Sequence, residues 1–249
     1  MKKRVSIFKS FLYTLLIYIV FSVIGGFLGQ IVFKMNDYTI LQGSIVGIAL
    51  LVFMGYFYKV ELFGKKNLKL GFSGIGVGLI VALLLNHDVG YLSQNIPHLG
   101  MIIISCLRTG ISEETIFRVV AIFLIGNIFY YSKNRLYLEI YLSSIVFALA
   151  HLLNIISNNQ AFDQTVIQVI YAFCLGTIFA IIYLATKNIL YAMVLHFLVD
   201  LLGGLFSASN LTSVSIDFLN MFLLVMVVLI AAAFNWLVLK NKYNGTFGN

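Results

Sequence analysis

Apolar runs of about twenty residues recur along the whole chain, and this recurrence limits the fold more than any other feature. A bilayer core about 30 Å thick is crossed by roughly 20 residues of helix, so each run is a candidate span. Eight are expected, near 10–33, 39–58, 70–86, 100–130, 136–155, 164–186, 188–208 and 214–239. The run at 70–86 is short, and that at 100–130 is long and polar enough to be tilted, broken or partly re-entrant. The first run also reads as a signal peptide behind Lys2, Lys3, Arg4 and Lys9. It continues to about Phe33 without a small-residue cleavage site, however, which marks a retained span.

Composition removes the alternatives. Only 10% of the 249 residues are charged and 61% are hydrophobic, against about 25% charged in a soluble domain. Disorder, collagen and coiled coil need more charge or a Pro/Gly repeat, and Pro97 is the single proline. The fold class is therefore all-α, a polytopic membrane protein of about eight transmembrane helices. Residues 1–249 form one membrane domain: three generic spans in 1–99, a core in 100–208, and a last span and tail in 209–249. Cys106 and Cys174 lie inside apolar runs, which argues against a disulfide framework or a thiolate metal cluster.

The net charge of +7 would suggest nucleic acid in a soluble chain; here its distribution gives another reason. With eight spans and an inside N-terminus, thirteen basic residues fall in cytoplasmic segments: Lys2, Lys3, Arg4, Lys9, Lys59, Lys65, Lys66, Lys69, Lys133, Arg135, Lys187, Lys240 and Lys242. Only Lys34 falls in an outside loop, and Arg108 and Arg118 lie within a span. This asymmetry predicts a multi-pass protein of the cell membrane with both termini cytoplasmic and no nucleic-acid partner. The outside loops, including Asn154 to Asp163 and Ser207 to Asp217, are polar and almost free of positive charge. Gly74 with Gly78, and Ala172, Gly176 and Ala180, have the spacing of close helix contacts.

In so apolar a chain, ionisable groups within spans mark the functional site. Span four carries Glu113, Glu114 and Arg118, span five Phe147 and His151, and span seven His196 and Asp200; Asn154 and Gln168 are secondary candidates. The three charges of span four cost about 9 kcal/mol in lipid, against about 3 to 7 kcal/mol gained from its Leu, Ile, Val and Phe residues. Other helices or a water-filled cavity must cover that face. Glu114 and Arg118 are i,i+4 and can neutralise each other, whereas Glu113 points about 140° away from Arg118 and is free to act as a general base. His196 and Asp200 are also i,i+4 and can share a target. His87 and His98, with Asp88, read as solvated loop residues, and Arg108 as a side chain that snorkels or pairs with an acidic lipid or residue.

Glu-Glu-x-x-x-Arg at 113–118, Phe-x-x-x-His at 147–151 and His-x-x-x-Asp at 196–200, in this order on successive apolar helices, resemble the CAAX-protease and bacteriocin-processing (CPBP or Abi) family of intramembrane endopeptidases. The resemblance covers about 110–205. It implies eight helices around a water-accessible intramembrane catalytic cavity, and peptide-bond hydrolysis as the reaction. By the same resemblance, Glu113 with His151 activates the hydrolytic water, His196 and Asp200 polarise the scissile carbonyl and stabilise its oxyanion, and Arg118 with Glu114 holds the site together. The last position is commonly Asn in the prenyl-protein branch, and Asp200 as a carboxylate only accepts hydrogen bonds. Its alternatives are to orient His196, to stay protonated, or to join Glu113, His151 and His196 around a divalent cation such as zinc. No cofactor is expected otherwise. No His-Glu-x-x-His, Gly-x-Ser-x-Gly or Gly-x-Gly-Asp motif points to another protease class.

The implied substrate is a peptide precursor or small membrane protein met in the lipid bilayer. A bacteriocin self-immunity protein that acts by binding, or a proton-coupled transporter using Glu113, His151 and Asp200 as a relay, are the competing classes. The absence of an inverted repeat argues against the transporter. One expectation concerns depth. From the charges Lys133, Arg135 and Lys187, straight helices rising 1.5 Å per residue put Glu113 about 30 Å deep, His151 about 24 Å and His196 about 14 Å. Groups acting on one water must meet, so span four is expected to bend or end near Gly126-Asn127, rather than span seven starting deeper than Lys187 implies.

Overall fold

The computed structural model describes residues 6–35, 37–86, 89–206 and 218–240. Lys2, Lys3, Arg4, His87, Asp88, Lys242 and the loop Ser207 to Asp217 lie outside the described residues. In chain order the helices are α1 (Ile7–Phe27), α2 (Thr39–Phe57), α3 (Leu68–Leu85), α4 (Leu92–Asn95), α5 (Leu99–Glu114), α6 (Ala121–Ile128), α7 (Arg135–Ala150), α8 (Asn154–Ser157), α9 (Phe162–Thr186), α10 (Ile189–Phe206) and α11 (Phe218–Lys240). Single turns of tighter helix at Val89–Tyr91, Ile96–His98 and His151–Leu153 join some of them. Seven helices are long and apolar enough to cross a membrane, including α1 extended to Val32 and α7 extended to Ser157. The eighth expected span is the helical path Leu99–Ile128, in which α5 passes into α6 through a π-helical stretch at Thr115–Val120. Arg108, Glu113, Glu114 and Arg118 set it apart from the other seven.

Helix α9 is the centre of the bundle. It packs against α7, α11, α3 and α10, and from Cys174 to Thr186 every residue is buried. A helix that is apolar all round has no lipid-facing side to prefer, so it takes the middle. Small residues admit its neighbours. A Cβ at Gly74 would collide with Ile182, one at Gly78 with Leu195, and one at Gly176 would press on Phe147 and Ser144. The close contacts expected from Gly74, Gly78, Ala172, Gly176 and Ala180 are therefore real interfaces, between α3 and α9–α10 and between α9 and α7. Helix α1, in contrast, packs mainly on α2 and keeps most of its surface outward.

The basic end of the bundle is sewn together by its loops. The amide of Gly64 donates to Lys187 O (2.8 Å), that of Ile189 to Leu62 O (2.9 Å), Asn188 Nδ2 to Gly64 O (3.0 Å) and Asn67 Nδ2 to Ala185 O (2.8 Å). Lys187 is half-buried here in a left-handed turn, φ 54°. Burial lowers its pKa from the ordinary lysine value, while Glu139 and Glu61 oppose that shift. The turn thus lies at the level of Glu139, whose carboxylate also presses on the position a Cβ of Gly126 would take.

This level corrects the depth expectation. Counted from Gly126, Glu139 and Lys187, Glu114 and His151 are each twelve residues away and His196 nine, or about 18, 18 and 14 Å. Backbone hydrogen bonds tie the Lys187 turn to the 61–64 loop, so the start of span seven is fixed by that loop and not by the lysine alone. Span four ends where expected, one residue past Gly126-Asn127, since α6 stops at Ile128; an irregular stretch outside that expectation lies at Thr115–Val120, directly after Glu114.

Candidate active site

Glu114 and Arg118 are fully buried and form an ion pair, Arg118 Nε to Glu114 Oε2, 3.0 Å. The spacing i,i+4 aligns them, and α2, α7, α9 and α10 all reach the π-helical stretch that carries Arg118. The guanidinium carbon lies 4.4 Å from the ring centroid of Phe147 and 5.3 Å from that of Phe179. Nη1 and Nη2 have no hydrogen-bond partner, so aromatic faces and one carboxylate are what compensate the buried cation.

The other oxygen of Glu114 holds His196. Its Oε1 is 2.8 Å from His196 Nδ1, and a carboxylate engaged with arginine is an acceptor, so Nδ1 donates. Phe179 stacks on the imidazole at 5.4 Å and 22°, and Phe147 meets it edge-on at 5.8 Å. Thus fixed, His196 presents Nε2 to Glu113 Oε2 at 3.8 Å and to Asp200 Oδ2 at 3.6 Å. Glu113 and Asp200 are each about one-third exposed, at 34% and 31%. Glu114 is sealed. The two adjacent glutamates therefore sit in different surroundings, as their angular separation on the helix requires.

His151 stands apart from this cluster. Its Nδ1 is 3.0 Å from Phe147 O, an acceptor only, so the proton sits on Nδ1 and Nε2 keeps a lone pair. The ring lies edge-on to Phe147 at 4.9 Å. Phe147 thereby touches both histidines and the arginine. His151, His196 and Asp200 all line a cavity of about 630 Å³ together with Phe147, Tyr171 and Phe179. Glu113 meets these residues through His196 rather than through His151. Among the expected site residues, five are joined by direct contacts and the sixth faces them across the cavity wall. Of the secondary candidates, Asn154 Nδ2 donates to Gln168 Oε1 at 2.9 Å, and Gln168 lines the cavity.

Phe179 carries no ionisable group and so gives no signal of the kind that marks the other site residues; its only sequence signal is a place on the one helix that is buried all round. Arg108 lays its stem along Gly43 of α2 and donates to Thr109 Oγ1 at 3.2 Å. Among the described residues, no three His, Cys, Asp or Glu side chains converge with the geometry that holds a metal ion. The carboxylate oxygens of Glu113 and Asp200 lie 3.8 and 3.6 Å from His196 Nε2, beyond hydrogen-bond distance, and Arg118 supplies a positive charge behind Glu114.

Residues 95–202 match the family of type II CAAX prenyl endopeptidase Rce1-like proteins. The match covers 108 of the 249 residues, the part of the chain that is similar to that family. The matched segment contains all six site residues, and the family supports a CAAX-type intramembrane protease kind of function. No curated protein and no solved structure matches the chain significantly.

Proposed function

We propose that this protein is an intramembrane endopeptidase that hydrolyses a peptide bond in a peptide precursor or small membrane protein, within a multi-pass fold of the cell membrane whose termini are cytoplasmic. The observation that carries the reading is His196: locked through Nδ1 to a buried Glu114–Arg118 pair, it offers Nε2 between two partly exposed carboxylates at the wall of an intramembrane cavity. Such a group is preorganised to act on substrate rather than to pack.

In this reading Glu113, assisted by the Nε2 lone pair of His151, takes a proton from water as its oxygen attacks the scissile carbonyl carbon. The new C–O bond pushes negative charge onto the carbonyl oxygen, which a protonated His196 Nε2 receives, with Asp200 setting the charge and orientation of that imidazole. Collapse breaks the C–N bond, and the proton held by the base passes to the leaving nitrogen, giving an amine and a carboxylic acid whose remaining proton then passes to the freed base or the amine. Arg118 and Glu114 touch no substrate; they position His196.

Glu113→Gln removes a proton acceptor at nearly constant volume, and His151→Ala removes one together with an edge contact to Phe147. Each is expected to lower turnover more than tenfold, while the protein stays inserted and monodisperse. Comparative membrane proteomics of wild type against Glu113→Gln should reveal a peptide that stops being cut. Turnover above a tenth of wild type in either variant, or bacteriocin resistance that survives Glu113→Gln, would transfer the function to binding. Active purified enzyme is expected to hold less than one equivalent of tightly bound metal. Stoichiometric zinc, with activity lost to a chelator and restored by zinc, would overturn the metal-free scheme.

A further inference from the structure

The cavity has two chemically different ends. At one lie His151, His196 and Asp200; the other is lined by six carboxamides, Asn86, Asn95, Gln160, Gln164, Gln168 and Asn220, brought together from the end of α3, from α4, and from the starts of α9 and α11. This second end is opposite the basic loops, since α3 leaves and α9 and α11 approach the Lys66, Lys187 and Lys240 side of the bundle. No lysine or arginine is among the described residues lining the cavity. Gln164 is only 7% exposed, and its Oε1 has no hydrogen-bond partner. A buried acceptor left in that state costs about 1–3 kcal/mol, and rotation of the amide toward a donor in the cavity recovers that cost.

We propose that the carboxamide end of this cavity receives an extended, uncharged, interior segment of polypeptide from the non-cytoplasmic side of the membrane and pairs with its backbone. A side-chain amide presents the same N–H and C=O groups as a peptide bond, and it is neutral, so it can meet an unwound backbone within the membrane at little desolvation cost. An unwound segment needs such partners, because each unsatisfied amide in hydrocarbon costs several kcal/mol. With no lysine or arginine on the lining, the carboxamide end has no permanent cation to take a free C-terminal carboxylate, which favours a segment from within a chain. The inference deepens the peptidase reading by naming its substrate class and side of access, and it rests on that reading only for the cleavage step after capture.

The test uses a decapeptide of alanine, serine and leucine, acetylated and amidated at its ends, carrying biotin and one benzophenone side chain. It is photocrosslinked to the Glu113→Gln protein in right-side-out spheroplasts and in inside-out vesicles. Capture is expected only in spheroplasts, with a tenfold or greater fall in Gln164→Leu. If Gln164→Leu fails to fold, Gln160→Leu at the half-buried neighbouring position carries the same expectation. Capture confined to inside-out vesicles, capture indifferent to both variants, or stronger capture of a twin with a free carboxylate overturns the inference. Capture from the outer side while wild-type protein leaves the peptide uncut upholds this inference and removes the peptidase reading. Cleavage without outer-side capture does the reverse.

Discussion

The two ends of the bundle use the same kinds of polar residue to opposite effect. At the basic end, Asn67 and Asn188 donate to backbone carbonyls across the loops, and the 61–64 and 186–189 segments satisfy each other's amides. At the far end, carboxamides surround an open volume of about 630 Å³. Asparagine at one end closes the structure; at the other, Asn86 and Asn95 also donate to backbone carbonyls, of Ala82 and Leu205, yet line a space together with Gln160, Gln164 and Gln168. Between them sits the Glu114–Arg118 pair, which belongs to neither, because it is sealed from both and exists to hold His196.

That middle layer is where the contrast is most easily broken. Glu114→Ala leaves Arg118 buried without its carboxylate and His196 without its Nδ1 partner. Truncating one member of a buried pair costs about 3–5 kcal/mol, so folded yield and detergent thermal stability should fall together with activity. Glu113→Gln, one residue away, should lose activity alone. A Glu114→Ala protein with normal thermal stability would show that the pair is not the keystone between the two ends.

Much of this architecture is legible in the sequence. Hydropathy marks the spans, because lipid tolerates little else, and small residues at helix spacing mark the faces of α3 and α9. The separation of Glu113 from Glu114 comes directly from 100° per residue. Depth does not. Lys187 marks a membrane surface only if its loop is free to rise to that surface, and hydrogen bonds from a loop more than 120 residues earlier fix its place. No local pattern carries that information. Phe179 and, Gln168 apart, the carboxamides escape the sequence for a related reason: they are neutral, ordinary one at a time, and gain meaning only when separate segments converge.

The closed end yields a smaller effect. Asn188→Ala removes a bond to Gly64 O and the cap on Leu190 N, 3.1 Å; at about 1 kcal/mol for each net hydrogen bond, the loss is about 2 kcal/mol. Stability should fall by that amount in a denaturation series, with peptide capture unchanged per folded molecule. Gln164→Leu should give the complementary pattern, with capture lost and stability retained. If Asn188→Ala impairs capture as strongly as Gln164→Leu does, the ends are coupled and do not divide their labour.

The smallest expected effect lies at Lys187, whose cation is half-buried and whose backbone is left-handed at φ 54°. Its folded pKa is lowered by burial from the ordinary 10.5. The unfolded chain therefore binds the proton more tightly, so stability rises with pH across the window from the folded value up to 10.5 and is penalised below it. Lys187→Met removes the titrating group while keeping the stem, so its advantage over wild type should be greatest at neutral pH and shrink as pH approaches the ordinary lysine range. Lys187→Gly should add to that advantage by relieving the left-handed backbone, which costs a non-glycine residue about 1 kcal/mol. Thermal midpoints of the three proteins between neutral and alkaline pH separate the two contributions. A wild-type–Met difference that does not change with pH would mean that the Glu139 and Glu61 charges fully compensate the buried ammonium, and one that turns to wild type's advantage at neutral pH would mean that the basic end is stabilised by its lysine.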